Sequence, residues 1–269
     1  DAFPTRIGAN SVGPFLASNT LQGVVTGSSR LEILDEVVTQ SVTWPNNGLI
    51  HVIFGTVSVY GIANPVLTIE PGVEVRFNSG SALVIGGSSS SQVGGLMARG
   101  TAAEPILFTS NQTTRTRGYW QGISFQDHAL DSSVMEHCVV EYGGYYVPLL
   151  SVTSSVPTLR NLTLRESGYE GLRISNANPM ISNSIIQDIA GTGIQIYSGS
   201  PVIQDVVLQN LGGYGISAAG YDSYLTLDRL TVTNPANYGI YVAAPNVSGR
   251  LVDSTVANGI YFTSSSTMQ

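Results

Sequence analysis

Gly171-Leu172-Arg173-Ile174 recurs as Gly193-Ile194-Gln195-Ile196, Gly215-Ile216-Ser217-Ala218, Gly239-Ile240-Tyr241-Val242 and Gly259-Ile260-Tyr261-Phe262, at spacings of 22, 22, 24 and 20 residues. A second series runs ahead of it. Pro157, Pro179 and Pro201 fall 22 apart, followed by the runs 159–164, 181–186 and 203–208. Residues 227–232 continue this series, and residues 134–140 open it one unit earlier. Each run alternates apolar and polar residues, the pattern of a strand with one buried face. The runs are short and rich in β-branched residues, which argues against helices. A unit of this size cannot bury its own apolar face, so it must stack on its neighbours.

Parallel stacking sets equivalent residues of successive units about 4.8 Å apart. Equivalent positions then form columns. Leu172, Ile194, Ile216, Ile240 and Ile260 make an aliphatic column that must face inward, and Asn161, Asn183 and Asp205 make a polar column suited to turns. The expected fold is all-β: a right-handed parallel β-helix of about 22 residues per coil. The Leu-x-x-Leu-x-Leu signature of a leucine-rich repeat is missing, and a β-sandwich would not hold one phase over five units. Residues 44–269 are assigned to the solenoid and residues 1–43 to an N-terminal arm, acting as a cap or as an exchange segment.

Residues 44–126 are less periodic but carry ordered motifs. Leu67-Thr68-Ile69-Glu70-Pro71-Gly72-Val73-Glu74-Val75-Arg76-Phe77 is followed by Gly95-Leu96-Met97-Ala98-Arg99-Gly100-Thr101, then Pro105-Ile106-Leu107-Phe108-Thr109-Ser110, then Trp120-Gln121-Gly122-Ile123-Ser124-Phe125. This order resembles the opening coils of bacterial exported and surface proteins with right-handed parallel β-helix repeats, of pectin-lyase-like fold. The resemblance implies the fold far more firmly than an activity. Members of that group are mostly surface or secreted proteins of undefined function, and distant relatives include polysaccharide lyases and hydrolases. Glu70-Pro71-Gly72 reads as a turn in which Pro presets φ and Gly supplies a positive one. Trp120 is expected to cover a corner of the helix.

Composition narrows the function. Charged residues make up 11% of the chain, against about a quarter in typical soluble domains. All eleven basic residues are Arg, and the net charge is −7. Nucleic acid is a poor partner for such a chain, because phosphate binding needs a basic stripe. No apolar run approaches the roughly 18 residues of a membrane-spanning helix. The start Asp1-Ala2-Phe3, without an initiator Met, fits processing on export, so an extracellular or cell-surface location is expected. The lone Cys138 lies in an apolar run and reads as a buried, inert thiol.

For chemistry, the densest polar stretch holds Asp127, Asp131, Glu136 and Glu141, with His128 and His137 among them. A carboxylate pair there would suit hydrolysis, and a cluster would suit Ca²⁺. The competing reading is a solvated coil edge. No Cys/His metal spacing, P-loop or Gly-x-Ser-x-Gly elbow is present, and neither a pectate-lyase nor a polygalacturonase signature is found, so the balance tips away from catalysis. Arg160 and Arg165 near Glu166 and Glu170 read as surface ion pairs. Tyrosines cluster at Tyr142, Tyr145 and Tyr146 and again at Tyr214, Tyr221, Tyr224, Tyr238, Tyr241 and Tyr261. Tyr241 and Tyr261 occupy one outward position on successive coils, either as a ligand-binding aromatic face or as a ladder that stabilises the sheet. Thr163 and Thr231 do not recur in the coils between, which disfavours a regular Thr array.

Both ends of a parallel solenoid expose strand edges. Residues 31–38 are expected to form a short amphipathic helix capping the first coil. Alternatively, residues 1–25 add a strand to a neighbour's open end, which repeated head-to-tail gives a filament. At the other end Arg250 falls where an aliphatic is expected, and residues 263–269 are too short for a capping helix, so that edge is frayed, trimmed or covered. The function expected first is therefore a secreted structural or adhesive β-helix that pairs with itself, head-to-tail or edge-to-edge. The alternative is a polysaccharide-binding or polysaccharide-degrading module.

Overall fold

The computed structural model describes residues 5–19, 25, 29–220, 223–245, 247–263 and 266–269. It is a right-handed parallel β-solenoid of about 10 turns, ~24 residues per turn. Every strand pairing is parallel, and each strand pairs with its counterpart one coil away. Three faces run along the column. The first carries the strands Val42–Trp44, Val66–Ile69, Gly95–Arg99, Val134–Glu136 and Thr158–Arg160, the second Glu74–Phe77, Ile106–Ser110, Cys138–Glu141 and Thr163–Arg165, and the third Ala82–Ile85, Gly122–Phe125, Leu150–Thr153, Leu172–Ser175 and their successors.

The recurring seed lies on the third face with the register its spacing demands. Leu172 pairs with Ile194, Ile194 with Ile216, Ile216 with Ile240 and Ile240 with Ile260. The first four are at most 1% exposed, whereas Ile260, which among the described residues pairs with Ile240 on one side alone, is 37% exposed. Burying one such aliphatic is worth roughly 1.5–3 kcal/mol, and the column supplies that at every turn. The glycines at 171, 193, 215 and 239, each before an inward aliphatic, have a steric cause. A Cβ on Gly193 would lie 2.8 Å from the Gly215 carbonyl oxygen, which accepts the Ile194 N–H at 2.9 Å.

The corner between the first and second faces is a single residue in the left-handed region. His137, Asn161, Asn183, Asp205, Arg229 and Asp253 occupy it, with φ between 46° and 54°. Asn and Asp tolerate that conformation better than other side chains. The polar column read from the sequence is therefore this corner. Gly72 has φ 77°, as the Pro-Gly turn requires.

Residues 31–38 do not form a helix. They lie in the strand Arg30–Val38, which pairs with Ile50–Val59 and, at its start, with Thr5–Gly8. Leu31, Ile33 and Val38 face the core, so the strand alternation won over the amphipathic helix spacing. The coil ladder thus reaches into residues 1–43. The end is covered instead by a short turn and helix, Ala9–Ser11 and Val12–Ser18, with Ala9 and Val12 fully buried. Glu36 accepts the Asn10 N–H at 2.8 Å, and the Trp44 indole donates to the Ala9 carbonyl at 3.3 Å. Residues 5–18 therefore fold on their own coil; residues 1–4 and 20–24 of the expected exchange arm lie outside the described residues.

Trp120 lies in the turn before Gly122–Phe125, fully buried and stacked on Phe77 with centroids 3.9 Å apart. One further expectation is corrected. Arg250 does not occupy an inward position: it extends the outward row of Thr226, while Gly249 and Leu251 pair with the buried Leu225 and Leu227.

Candidate functional site

Outward side chains on the third face form one register-locked row: Val84, Ser124, Ser151, Arg173, Gln195, Ser217, Tyr241 and Tyr261. Every residue in it is the third of a coil's repeating unit, so the alternation that sends Leu172 inward sends Arg173 outward. Over the middle coils the row lies in a groove of about 400 Å³. Ser124, Ser151, Thr153, Ser175, Gln121 and Gln126 supply hydroxyls and amides, Val147 and Pro148 form an apolar side, and no carboxylate lines it.

Arg173 is the groove's charged group. It donates to Glu170 at 2.7 Å and lies 5.8 and 5.5 Å from the ring centroids of Tyr169 and Tyr197. Partial burial is the largest influence and opposes its charge, but the Glu170 hydrogen bond and charge, with Tyr197 and Tyr169, together outweigh it and hold the guanidinium above its ordinary range. The site is therefore close to electrically neutral. Arg173 was legible as an outward residue, but its two tyrosine neighbours, Tyr169 in the turn before its strand and Tyr197 on the next coil, were not.

Tyr241 and Tyr261 do stand together, with Tyr214 and Tyr238 beside them. Tyr214 stacks on Tyr241 at 4.5 Å and Tyr238 lies 5.4 Å from Tyr261. Tyr221 lies outside the described residues. Because the rings pile along the column, their faces are spent on one another, which favours the ladder role over a sugar-stacking platform.

The four candidate carboxylates are not gathered. Asp127 and Asp131 lie in the turn after Gly122–Phe125; Asp127 is 3.6 Å from His128, and Asp131 accepts the Val156 N–H at 2.8 Å. Glu136 is on the first face, paired with Arg160 at 2.8 Å. Glu141 is on the second face, 1% exposed, accepting from Thr109 at 2.8 Å and Arg165 at 2.6 Å. The corner at His137 turns Glu136 and Glu141 onto different faces. Among the described residues no group of three or more His, Cys, Asp or Glu side chains is placed to hold a metal ion such as Ca²⁺.

Two buried groups lie inside the column. Cys138 is 1% exposed, and burial pushes its thiol up to about 12. His51 is fully buried between Leu31 and Val75, and burial lowers its pKa to about 4. Among the described residues neither ring nitrogen of His51 meets a partner in good hydrogen-bond geometry, although the nearby Leu49 backbone offsets a little of the effect of burial.

A family model described as a right handed beta helix region matches residues 131–269. No curated protein matches the sequence. Among solved structures, the A-module of the mannuronan C-5 epimerase AlgE4 of Azotobacter vinelandii is 12% identical, with TM-score 0.40 over 96% of this chain and 91% of that one. A double mutant of the periplasmic alginate epimerase AlgG is 10% identical, with TM-score 0.37 over 98% of this chain and 82% of that one.

Proposed function

The chain belongs to the right-handed β-helix family, and we propose that it binds a neutral polysaccharide lengthwise in the groove of its third face. One observation carries this reading: the groove is concave, lined by hydroxyls and amides with an apolar side, and its one guanidinium is already paired with Glu170. Sugar rings present the same mixture of hydroxyls and apolar C–H surfaces. Few, convergent polar groups against an apolar wall are the usual makings of a ligand site. The row places one outward side chain on every coil, so a linear polymer lying along it meets a contact at each turn and several weak contacts add along it. A net charge of −7 disfavours a polyanion at long range.

The test is affinity electrophoresis and calorimetry against a panel of soluble neutral polysaccharides. At least one should retard the protein. Ser151→Trp fills the groove from a half-exposed outward position and should abolish retardation, while Tyr261→Ser should leave it unchanged. Absence of binding across the panel, or binding untouched by Ser151→Trp, overturns the proposal. A purely structural rod, paired with copies of itself, is the reading that then remains.

A further inference from the structure

We propose a second, independent site on the second face: an arginine-lined cleft that takes a hydroxylated oxyanion, such as a sugar acid. The cleft has a volume of about 470 Å³ and is lined by Arg30, Arg76 and Arg115 together with Asn111, Gln112 and Tyr142. In a chain of net charge −7, this concentration of cations is local and specific.

The charges there do not cancel. Arg76 is held by Glu74 at 2.6 Å, and Arg165 takes Glu141 at 2.6 Å. Arg115 reaches both carboxylates only at 3.7 and 3.6 Å, beyond hydrogen-bond distance, and lies 5.9 Å from the Tyr142 ring centroid. Arg30 is exposed and has no partner among the described residues. Three guanidinium groups thus line the cleft, the nearby carboxylates Glu74 and Glu141 are already taken by Arg76 and Arg165, and the forks of Arg30 and Arg115 are unfilled. An arginine fork is shaped for a planar or tetrahedral oxyanion.

The loop that brings Arg115 here is ordered for it. The Gln112 side-chain carbonyl accepts from the Thr116 N–H at 3.0 Å and from its hydroxyl at 2.9 Å, closing the turn around Arg115. The cleft wall supplies the opposite chemistry as well. Asn111 is fixed there by its side-chain amide, which donates to Asn78 at 2.8 Å. The hydroxyls of Thr113 and Tyr142 in the same lining accept as well as donate, and so meet a ligand's own hydroxyls. Donors for an oxyanion and an acceptor for a hydroxyl, side by side, define the ligand class.

Titration of the whole chain with sodium glucuronate, glucose and sodium sulfate at low salt, followed by NMR or calorimetry, tests this. Glucuronate should bind, glucose should not, and sulfate should bind more weakly than glucuronate. Arg30→Ala and Arg115→Ala should each weaken glucuronate binding roughly tenfold, the worth of one charge-assisted hydrogen bond. Arg30 is exposed at a strand start, so its variant reports even if Arg115→Ala folds poorly. Ser151→Trp should have no effect, which separates this site from the groove. Sulfate binding as tightly as glucuronate would reduce the site to an adventitious ion only and overturn the assignment. So would no binding of glucuronate, or binding that both arginine variants leave intact.

Discussion

The imidazole of His51 lies parallel to the indole of Trp44 inside the solenoid, with ring centroids 5.7 Å apart and planes inclined by 9°. It holds a core position as a neutral ring. Its pKa drops from 6.5 to about 4 because burial penalises the cation. Between those values the unfolded chain binds a proton that the folded chain refuses. Stability from this group is therefore complete above pH 6.5 and declines as the pH falls towards 4, by about 3 kcal/mol in total. Urea midpoints at pH 7, 5.5 and 4 should fall accordingly, and His51→Leu should flatten that part of the slope.

Glu141 offers a second test. Its carboxylate is buried, while its partner Arg165 is 43% exposed. Removing the arginine strands a buried charge, whereas removing the carboxylate releases a guanidinium that water can reach. Arg165→Ala should cost about 2 kcal/mol, and Glu141→Gln, which still accepts from Thr109, about 1 kcal/mol. The double variant should cost less than the sum, and thermal unfolding of all four proteins measures the coupling.

The one-residue corners predict a clear ranking. Asn183 has φ 49° within the strand Met180–Ile189. Asn183→Gly should be nearly neutral, while Asn183→Val should cost about 1–2 kcal/mol, because a β-branched side chain resists the left-handed region. Gly193→Ala should be destabilising by about 1–3 kcal/mol through its clash with the Gly215 carbonyl oxygen, whatever its φ. Denaturant midpoints distinguish the two effects.

Tyr241 stacks between Tyr214 and Tyr261, at 4.5 and 5.1 Å, whereas Tyr261 stands on the last coil. Tyr241→Ala should lower stability by about 1–2 kcal/mol and Tyr261→Ala by less, since the inner ring stacks on Tyr214, Tyr238 and Tyr261, whereas Tyr261 has one stacked and one tilted neighbour. Hydrogen exchange on residues 240–242 should report the loosening locally.

The sequence by itself determined the column. In a parallel stack each coil meets a copy of itself, so one local pattern, repeated at spacings of 20 to 24 residues, sets the register, the inward Leu172–Ile240 row and the outward row through Arg173 and Tyr241 together. The Asn161, Asn183 and Asp205 corners were visible for the same reason. What only the tertiary structure decided lies where the repeat is interrupted or where separate faces meet. The segment 31–38 fits a helix or a strand by local spacing, and pairing with Ile50–Val59 settled it. Glu136 and Glu141 are five residues apart, yet one positive φ at His137 puts them on different faces. Arg30, Arg76 and Arg115 are distant in sequence, and a non-repeating loop brings the last of them to the others. Periodicity encodes which side of a strand a residue takes; which neighbours it then meets depends on corner angles and loop paths that no local pattern contains.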